Sequence, residues 1–506
     1  MLFTPNIDEF AALYDRALAQ VVSTRLVADL ETPVSAMLKL ARHVRYSFLL
    51  ESVEGGAVRG RYSMIGLRPD LIWRVEGGRA EVNRRALLDP DGPFQPLDEH
   101  PLTALRTILA ETHIDLPHDL PPMAAGLFGY MGYDMVRAME RLPAEHPDPL
   151  GVPDAVLVRP TVIAIFDAVK DEVTVVTPCY SNREVSARAA YTRALERLND
   201  VVDALERPLD QRVSEDLAAV SYEDAVSNTS PAEYKAMVER AKDYITAGDI
   251  FQAVLSQRFE AAFALPPFAL YRALRRVNPS PFLYYLDFDR FSIIGSSPEI
   301  LVRVRDGQVT IRPIAGTRRR GATPAEDRAL AEELLADPKE RAEHLMLLDL
   351  GRNDVGRVAE IGSIRVTDRF FPEFYSHVIH IVSNVEGRLR SDLDAIDALV
   401  AGFPAGTVSG APKVRAMQII DELEKEKRGP YAGCVGYFSA NGEMDTCIVL
   451  RTAIVKDGKM HVQAGAGIVA DSIPESEQAE CINKAKALFR AAEEAVRFAG
   501  RAARGQ

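Results

Sequence analysis

The 506 residues hold 60 Lys and Arg against 73 Asp and Glu, a formal net charge of -13, with 47% hydrophobic and 26% charged residues. Such a length exceeds one hydrophobic core, so two or more lobes are expected, and the composition excludes disordered and fibrous classes. The acidic balance also argues against nucleic acid as a partner, since that surface needs a basic stripe to displace counterions.

No basic leader opens the chain at Met1 to Phe10, and no run of about 18 apolar residues occurs, so a cytoplasmic protein without a membrane span is expected. In chain order, strands are predicted at Tyr46 to Glu51 and Leu71 to Val75. A Gly-punctuated stretch follows at Gly126 to Asp134, then a Pro-rich loop at Leu142 to Pro153, then strands at Ala155 to Phe166 and Val173 to Thr177. Ser186 to Leu205 has helical periodicity. Residues 206–222 turn polar and lose period, so a linker is placed there, between an N-terminal lobe (1–205) and a C-terminal one (223–506).

The second lobe opens on a capping signature, Ser230-Pro231-Ala232-Glu233, ahead of a helix carrying Tyr234, Val238, Ala241 and Ile245. Short runs at Phe282 to Asp287, Ser292 to Ile294, Ile300 to Val304 and Gln308 to Ile311 are spaced as antiparallel neighbours. The class is therefore α+β, with large antiparallel sheets and helices outside them. Cys179, Cys434, Cys447 and Cys481 fit neither a zinc pattern nor a disulfide framework and read as reduced core thiols.

Several constellations bear on chemistry. A helical segment, Ala325 to Leu350, places Glu340 and Glu343 three residues apart, and a helix starting near Glu475 does the same with Glu477 and Glu480. Like charges at that spacing repel; a shared oxygen-loving cation such as magnesium would relieve them, and two solvated helix faces are the alternative. Gly402 to Lys413 leads into a helix at Val414 to Glu426 and reads either as an anion cradle with Lys413 as its charge or as a capped turn. Gly465-Ala466-Gly467-Ile468-Val469-Ala470 meets G-x-G-x-x-A after a strand predicted at Met460 to Gln463, but no helix follows, so a dinucleotide site is rejected. His377 and His380, three apart in a predicted strand, would face opposite sides, and spacing alone does not choose between structure and proton transfer.

Ile314-Ala315-Gly316-Thr317, Glu343 to Asp349, Arg352-Asn353-Asp354, Gly406 to Lys413 and Gly465-Ala466-Gly467, in this order, resemble the chorismate-utilising enzymes. Leu49-Leu50-Glu51-Ser52 and Asn278-Pro279-Ser280-Pro281 are similar to the tryptophan-binding elements of the anthranilate synthase branch. The resemblance implies a large synthase subunit with a β-sandwich-like core and its active site in the C-terminal lobe. It implies Mg2+ on Glu343 and Glu480, with Glu340 and Glu477 completing the cluster. It implies chorismate contacts at Gly316, Thr317, Tyr431, Arg451, Gly465, Ala466 and Gly467, with Lys484 supporting them. His380, Glu299, Thr407 and Gln252 are the implied catalytic group, Glu299 as general acid with a raised pKa. Ser52, Pro281, Phe282 and Leu283 are the implied tryptophan contacts, although the family's usual Pro-Tyr-Met reads Pro281-Phe282-Leu283 here.

Within the family, Gln252 stands where water-using branches have a Lys, and Ala315 where the aminodeoxychorismate branch has a Lys nucleophile. Both favour ammonia as nucleophile and anthranilate as product over the isochorismate and aminodeoxychorismate alternatives. A non-catalytic tryptophan-sensing subunit is a further alternative. A separate glutamine amidotransferase subunit is expected to supply the ammonia, in an assembly of two large and two small subunits.

Overall fold

The longest strands are Val58–Glu76, which continues through Gly66 and Pro69, and Ala155–Asp167, where apolar and β-branched residues dominate. They pair antiparallel from Tyr62 opposite Asp167 to Val75 opposite Ala155. In the computed structural model, which describes residues 2–42, 44–54, 58–143, 146–209, 222–375 and 378–499, each of the two has different neighbours along its two halves. Val58–Glu76 pairs first with Ser47–Glu54 and then with Arg79–Asn83. Ala155–Asp167 pairs first with Gly126–Met131 and then with Glu172–Cys179. The pair thus forks into two sheets.

One sheet continues from Ser47–Glu54 through Phe282–Asp287, Phe291–Ser297, Thr452–Lys456, Lys459–Ile468 and Gln252–Ala262. The other continues from Gly126–Met131 through Cys434–Ser439, Met444–Ile448, Ile300–Arg305, Gln308–Ile311 and Val378–Arg388, which also borders Ile314–Arg319 and Arg365–Phe374. Phe48, Tyr284 and Ile293 of the first sheet pack against Phe128, Val435 and Tyr437 of the second in one buried cluster. Phe48 stacks on Phe128 at 4.7 Å. Gly66 is needed beneath that stack, since a Cβ there would come within 2.1 Å of the Phe48 ring.

Helices Ile7–Tyr14, Pro33–Leu40, Ala187–Glu206, Pro267–Val277 and Pro474–Ala499 bury their apolar faces in a cluster with the first sheet. Pro101–Glu111, Pro338–Gly356 and Ala395–Gly402 do so with the second, whereas Lys413–Leu423 packs Ala416 and Ile419 against Ile250 and Ala253 beside the first and sends Met417 into the cluster of the second. The predicted capping box at Ser230 forms, and Tyr234, Val238 and Ala241 are the buried face of Pro231–Thr246.

Three expectations are corrected. The segment Ala325 to Leu350 is two helices, Pro324–Ala336 and Pro338–Gly356. Pro338 has no N–H and disfavours helical geometry at Asp337, whose carboxylate instead accepts from the N–H groups of Lys339 and Glu340 at 2.9 and 3.3 Å. The strand before Ile468 does not stop ahead of the glycines but runs through them as Lys459–Ile468. The helix after Pro412 ends at Leu423, short of Glu426.

Most of the predicted linker, residues 210–221, lies outside the described residues, as does His377. On either side of that linker the strands interleave, Phe282 lying opposite Ser52 and Cys434 opposite Met131. The four cysteines are free and buried. Among the described residues no helix is long and apolar enough to cross a membrane.

Candidate active site

The free end of the second sheet and the glycine-bearing end of the first face each other across the helices Pro338–Gly356 and Pro474–Ala499. On Val378–Arg388, period-two alternation buries Ile379 and Ile381 against helix Pro324–Ala336, which leaves Val378, His380 and Val382 on the other face. Opposite His380 stands Thr317, and a register shift between Ala315 and Thr317 falls at Gly316, whose φ of +71° favours glycine. The shift turns the Gly316 carbonyl toward His380, 2.8 Å from Nδ1, with the Thr317 hydroxyl 3.2 Å from the same nitrogen. A carbonyl only accepts, so Nδ1 carries the proton and Nε2 the lone pair. Burial, with help from Arg451 and Lys484, pushes the imidazole down to about 4, so it is a neutral base at physiological pH.

Glu299 follows strand Phe291–Ser297 and is 6% exposed. Both its carboxyl oxygens lie within reach of the Thr407 hydroxyl, at 3.2 and 3.1 Å, and the Ile314 N–H also donates to it. Burial outweighs these bonds and the charge of Arg451 and lifts the carboxyl to about 8, the state a proton donor needs. Arg451 itself sits in a left-handed backbone conformation, φ +47°. Its side chain is half-buried and has no hydrogen-bond or ion-pair partner among the described residues; Tyr375 and Glu299 supply the nearby charge interactions.

The carboxylates from the two helices lie within reach of one another's charge. Burial raises Glu343, and the charges of Glu340 and Glu480 raise it further; Glu477 rises through burial and the charge of Glu480. Gln252 Nε2 donates to Glu343 at 3.4 Å and lies 2.6 Å from where a Gly467 Cβ would be, so that glycine makes room for the amide. Glu340 is bound by Arg318 at 3.0 Å and Glu480 by Lys484 at 2.7 Å. Lys484 also donates to the Gly465 carbonyl at 2.9 Å. The Tyr431 hydroxyl lies 2.8 Å from where a Gly465 Cβ would stand. Ala466 turns its methyl into the cluster with Leu255 and Ile468, which leaves only its backbone for the site.

As placed, no three His, Cys, Asp or Glu side chains among the described residues enclose an ion, and Arg318 and Lys484 bind two of the carboxylates. The donor set nevertheless fits a hard cation: four carboxylates, an amide and mutual repulsion that a divalent charge would relieve. Glu343 and Glu480 are the residues from facing helices that would hold it.

Lys413 is not a free anion-binding charge. It is buried against Asp354 at 2.8 Å and pins the end of helix Pro338–Gly356 to the loop carrying Thr407. A second buried anchor had no clear sequence signal. Arg428 donates to the carbonyls of Val408 and Val254 at 2.8 and 2.7 Å and pairs with Glu424 at 2.6 Å, tying the Thr407 loop to the Gln252 strand. A broad concavity of about 940 Å³ lies on another face of helix Pro338–Gly356, lined by Leu345, Arg352 and Arg369, and contains none of these groups.

Far along the first sheet, Ser52 lies directly opposite Phe282, and Leu283 opposite Glu51. The Ser52 hydroxyl donates to the Tyr62 carbonyl at 3.0 Å. Glu51 is buried and held by Arg275 through two bonds of 2.7 and 2.9 Å and by the Tyr271 hydroxyl. Ser52, Phe282 and Leu283 thus gather at one place, with Pro281 adjoining, and Phe282 also pairs with Ser297, two residues ahead of Glu299.

The family described as chorismate binding enzyme matches residues 62–490. The chain belongs to that family. It is 61% identical over 487 residues to anthranilate synthase component 1 of Cereibacter sphaeroides, covering 96% of this chain and 97% of the relative. It is 48% identical over 480 residues to the protein of the same name in Thermus thermophilus, covering 92% and 96%. The crystal structure of anthranilate synthase component I from Streptococcus pneumoniae superposes with a TM-score of 0.74 at 38% identity, over 92% of this chain and 99% of that one. The menaquinone-specific isochorismate synthase of Escherichia coli shares the fold, with a TM-score of 0.69 at 20% identity over 94% of each chain. The family fold accounts for the mixed helices and antiparallel sheets, and it makes the chain a chorismate-utilising enzyme.

Proposed function

We propose that the chain is the synthase component of an anthranilate synthase: it aminates chorismate with ammonia and eliminates pyruvate. The observation that carries this reading is the pairing of a proton-holding carboxyl, Glu299, with a neutral imidazole, His380, around the unpaired guanidinium of Arg451. Chorismate offers two carboxylates, a ring hydroxyl that leaves poorly and an enolpyruvyl ether. Arg451, with Tyr431 and the backbone at Gly465 and Gly467, takes carboxylate charge.

Ammonia brings its own lone pair, so the uncharged Gln252 beside Glu343 is consistent with an amine nucleophile and with no base to activate water. As nitrogen bonds to the ring, the hydroxyl leaves with the Glu299 proton as water, Thr407 keeping that carboxyl aimed. In the second half, His380 Nε2 removes the ring proton beside the new C–N bond while the enolpyruvyl C–O bond breaks, giving the aromatic product. A magnesium ion on Glu343 and Glu480, with Glu340 and Glu477 nearby, would supply Lewis-acid charge to a ring carboxylate.

Ammonia comes from glutamine through a separate amidotransferase subunit in a two-plus-two assembly in the cytoplasm. Tryptophan inhibits by binding between Ser52 and Pro281-Phe282-Leu283. Gln252 and the side-chain-poor Ala315 favour this reading over isochorismate or aminodeoxychorismate formation. Purified chain, chorismate, ammonium and magnesium are expected to give anthranilate fluorescence that a chelator abolishes and tryptophan suppresses, with Ser52→Phe relieving the suppression at unchanged basal rate. Isochorismate as the product, or chelator-resistant turnover, would overturn the corresponding part.

A further inference from the structure

Tyr375 follows strand Arg365–Phe374, and its N–H donates to the Val378 carbonyl at 2.8 Å across the hairpin. That bond places the ring on the sheet face that carries His380, where it packs with Ile314 and Val382. The two rings meet edge to face, centroids 5.3 Å apart and planes at 68°. Tyr375 is 2% exposed, and its hydroxyl has no hydrogen-bond partner among the described residues. Buried phenols almost always find one, because an unmade bond in a dry interior is costly.

The charged groups around this hydroxyl are Glu373, Arg312, Glu299 and Arg451. Arg312 and Glu373 are bound to each other at 2.9 Å. Glu299 already receives Thr407 and the Ile314 N–H. The Arg451 side chain has no hydrogen-bond or ion-pair partner among the described residues and cannot accept a hydrogen bond. A buried phenol and a half-buried guanidinium, neither with a hydrogen-bond partner among the described residues, therefore share this pocket.

We infer that Tyr375 is a substrate-contacting residue whose hydroxyl donates to a carboxylate oxygen of the chorismate held by Arg451, while its ring holds the His380 imidazole in plane. The inference rests on reading the pocket as a chorismate site. Phenol and guanidinium together match one carboxylate, each oxygen taking a donor, and this binding requires no change in protonation because burial keeps the phenol protonated.

Tyr375→Phe keeps the ring and its contact with His380 and removes only the oxygen. The unliganded variant should melt at or above the wild-type temperature, since it loses an unpaired buried hydroxyl. Chorismate without ammonium should raise the melting temperature of the variant by less than that of the wild type, and KM for chorismate should rise about tenfold or more, as for loss of a bond to a charged group, with kcat within about threefold. Unchanged KM with an unchanged chorismate-induced shift overturns the assignment, as does a fall confined to kcat. The shift is read without turnover, so a wild-type chain that binds chorismate but forms no anthranilate would sink the activity reading and leave this one standing.

Discussion

The chemistry of the site turns on single residues whose surroundings set their protonation. Glu299 holds its proton up to about pH 8, so the donating form predominates below that value and is lost above it. At a fixed concentration of free ammonia, kcat should fall as pH rises through about 8. Glu299→Gln should lower kcat by about 10² to 10⁴ and flatten that limb; a variant with the wild-type profile would remove Glu299 as the donor. The same shift also affects stability. An unfolded Glu ionises near 4.5, so the folded form loses stability as pH climbs from there through 8, and the Gln variant should melt higher than wild type at neutral pH. Sequence resemblance pointed to Glu299 and His380, yet it carried no trace of Tyr375, whose aromatic neighbours look like any hairpin. At Lys413 the sequence left an anion cradle and a capped turn both open, because only the tertiary fold brings Asp354 against that lysine.

At the scale of elements, the carboxylate pairs were visible because residues three apart share a helix face, whereas the convergence of two helices more than a hundred residues apart in sequence was not. The break at Asp337 was legible in principle from Pro338 and gives Glu340 a place in the first turn of its helix, where a capping carboxylate and Arg318 fix it. The strand expected at Met460 to Gln463 runs on through the glycines at 465 and 467, because backbone pairing with Ser256 and Val254 overrides weak propensity and the missing side chains admit Tyr431 and Gln252. With burial and then mutual repulsion raising Glu343 and Glu477, magnesium should stabilise the folded chain. At about a hundredfold excess over its Kd the ion adds about 2.7 kcal/mol, a shift of several degrees in melting temperature. Glu343→Gln and Glu480→Gln should each shrink that shift; if both variants respond to magnesium as wild type does, the ion is bound elsewhere.

Across the whole molecule, sequence order and spatial order part company. Composition pointed to two lobes and strand spacing to antiparallel sheets, but which strands pair over two hundred residues of separation is decided by complementary apolar faces that no local pattern displays. Ser47–Glu54 completes the sheet of Phe282–Asp287, and Gly126–Met131 completes that of Cys434–Ser439. The cluster between the sheets draws Phe48, Phe128 and Tyr130 from the first part of the chain and Tyr284, Val435 and Tyr437 from the second. A fragment spanning residues 222–506 would retain every expected metal and catalytic residue, yet it would expose two strand edges and half of that aromatic core. Unpaired edges and a large apolar face favour aggregation over folding. Expressed alone, the fragment should be insoluble or lack cooperative unfolding, and co-expression with residues 1–209 should restore a soluble complex that turns over chorismate. A soluble, cooperatively folded fragment with full activity would mean that these cross-sheet contacts contribute little to the stability of the site.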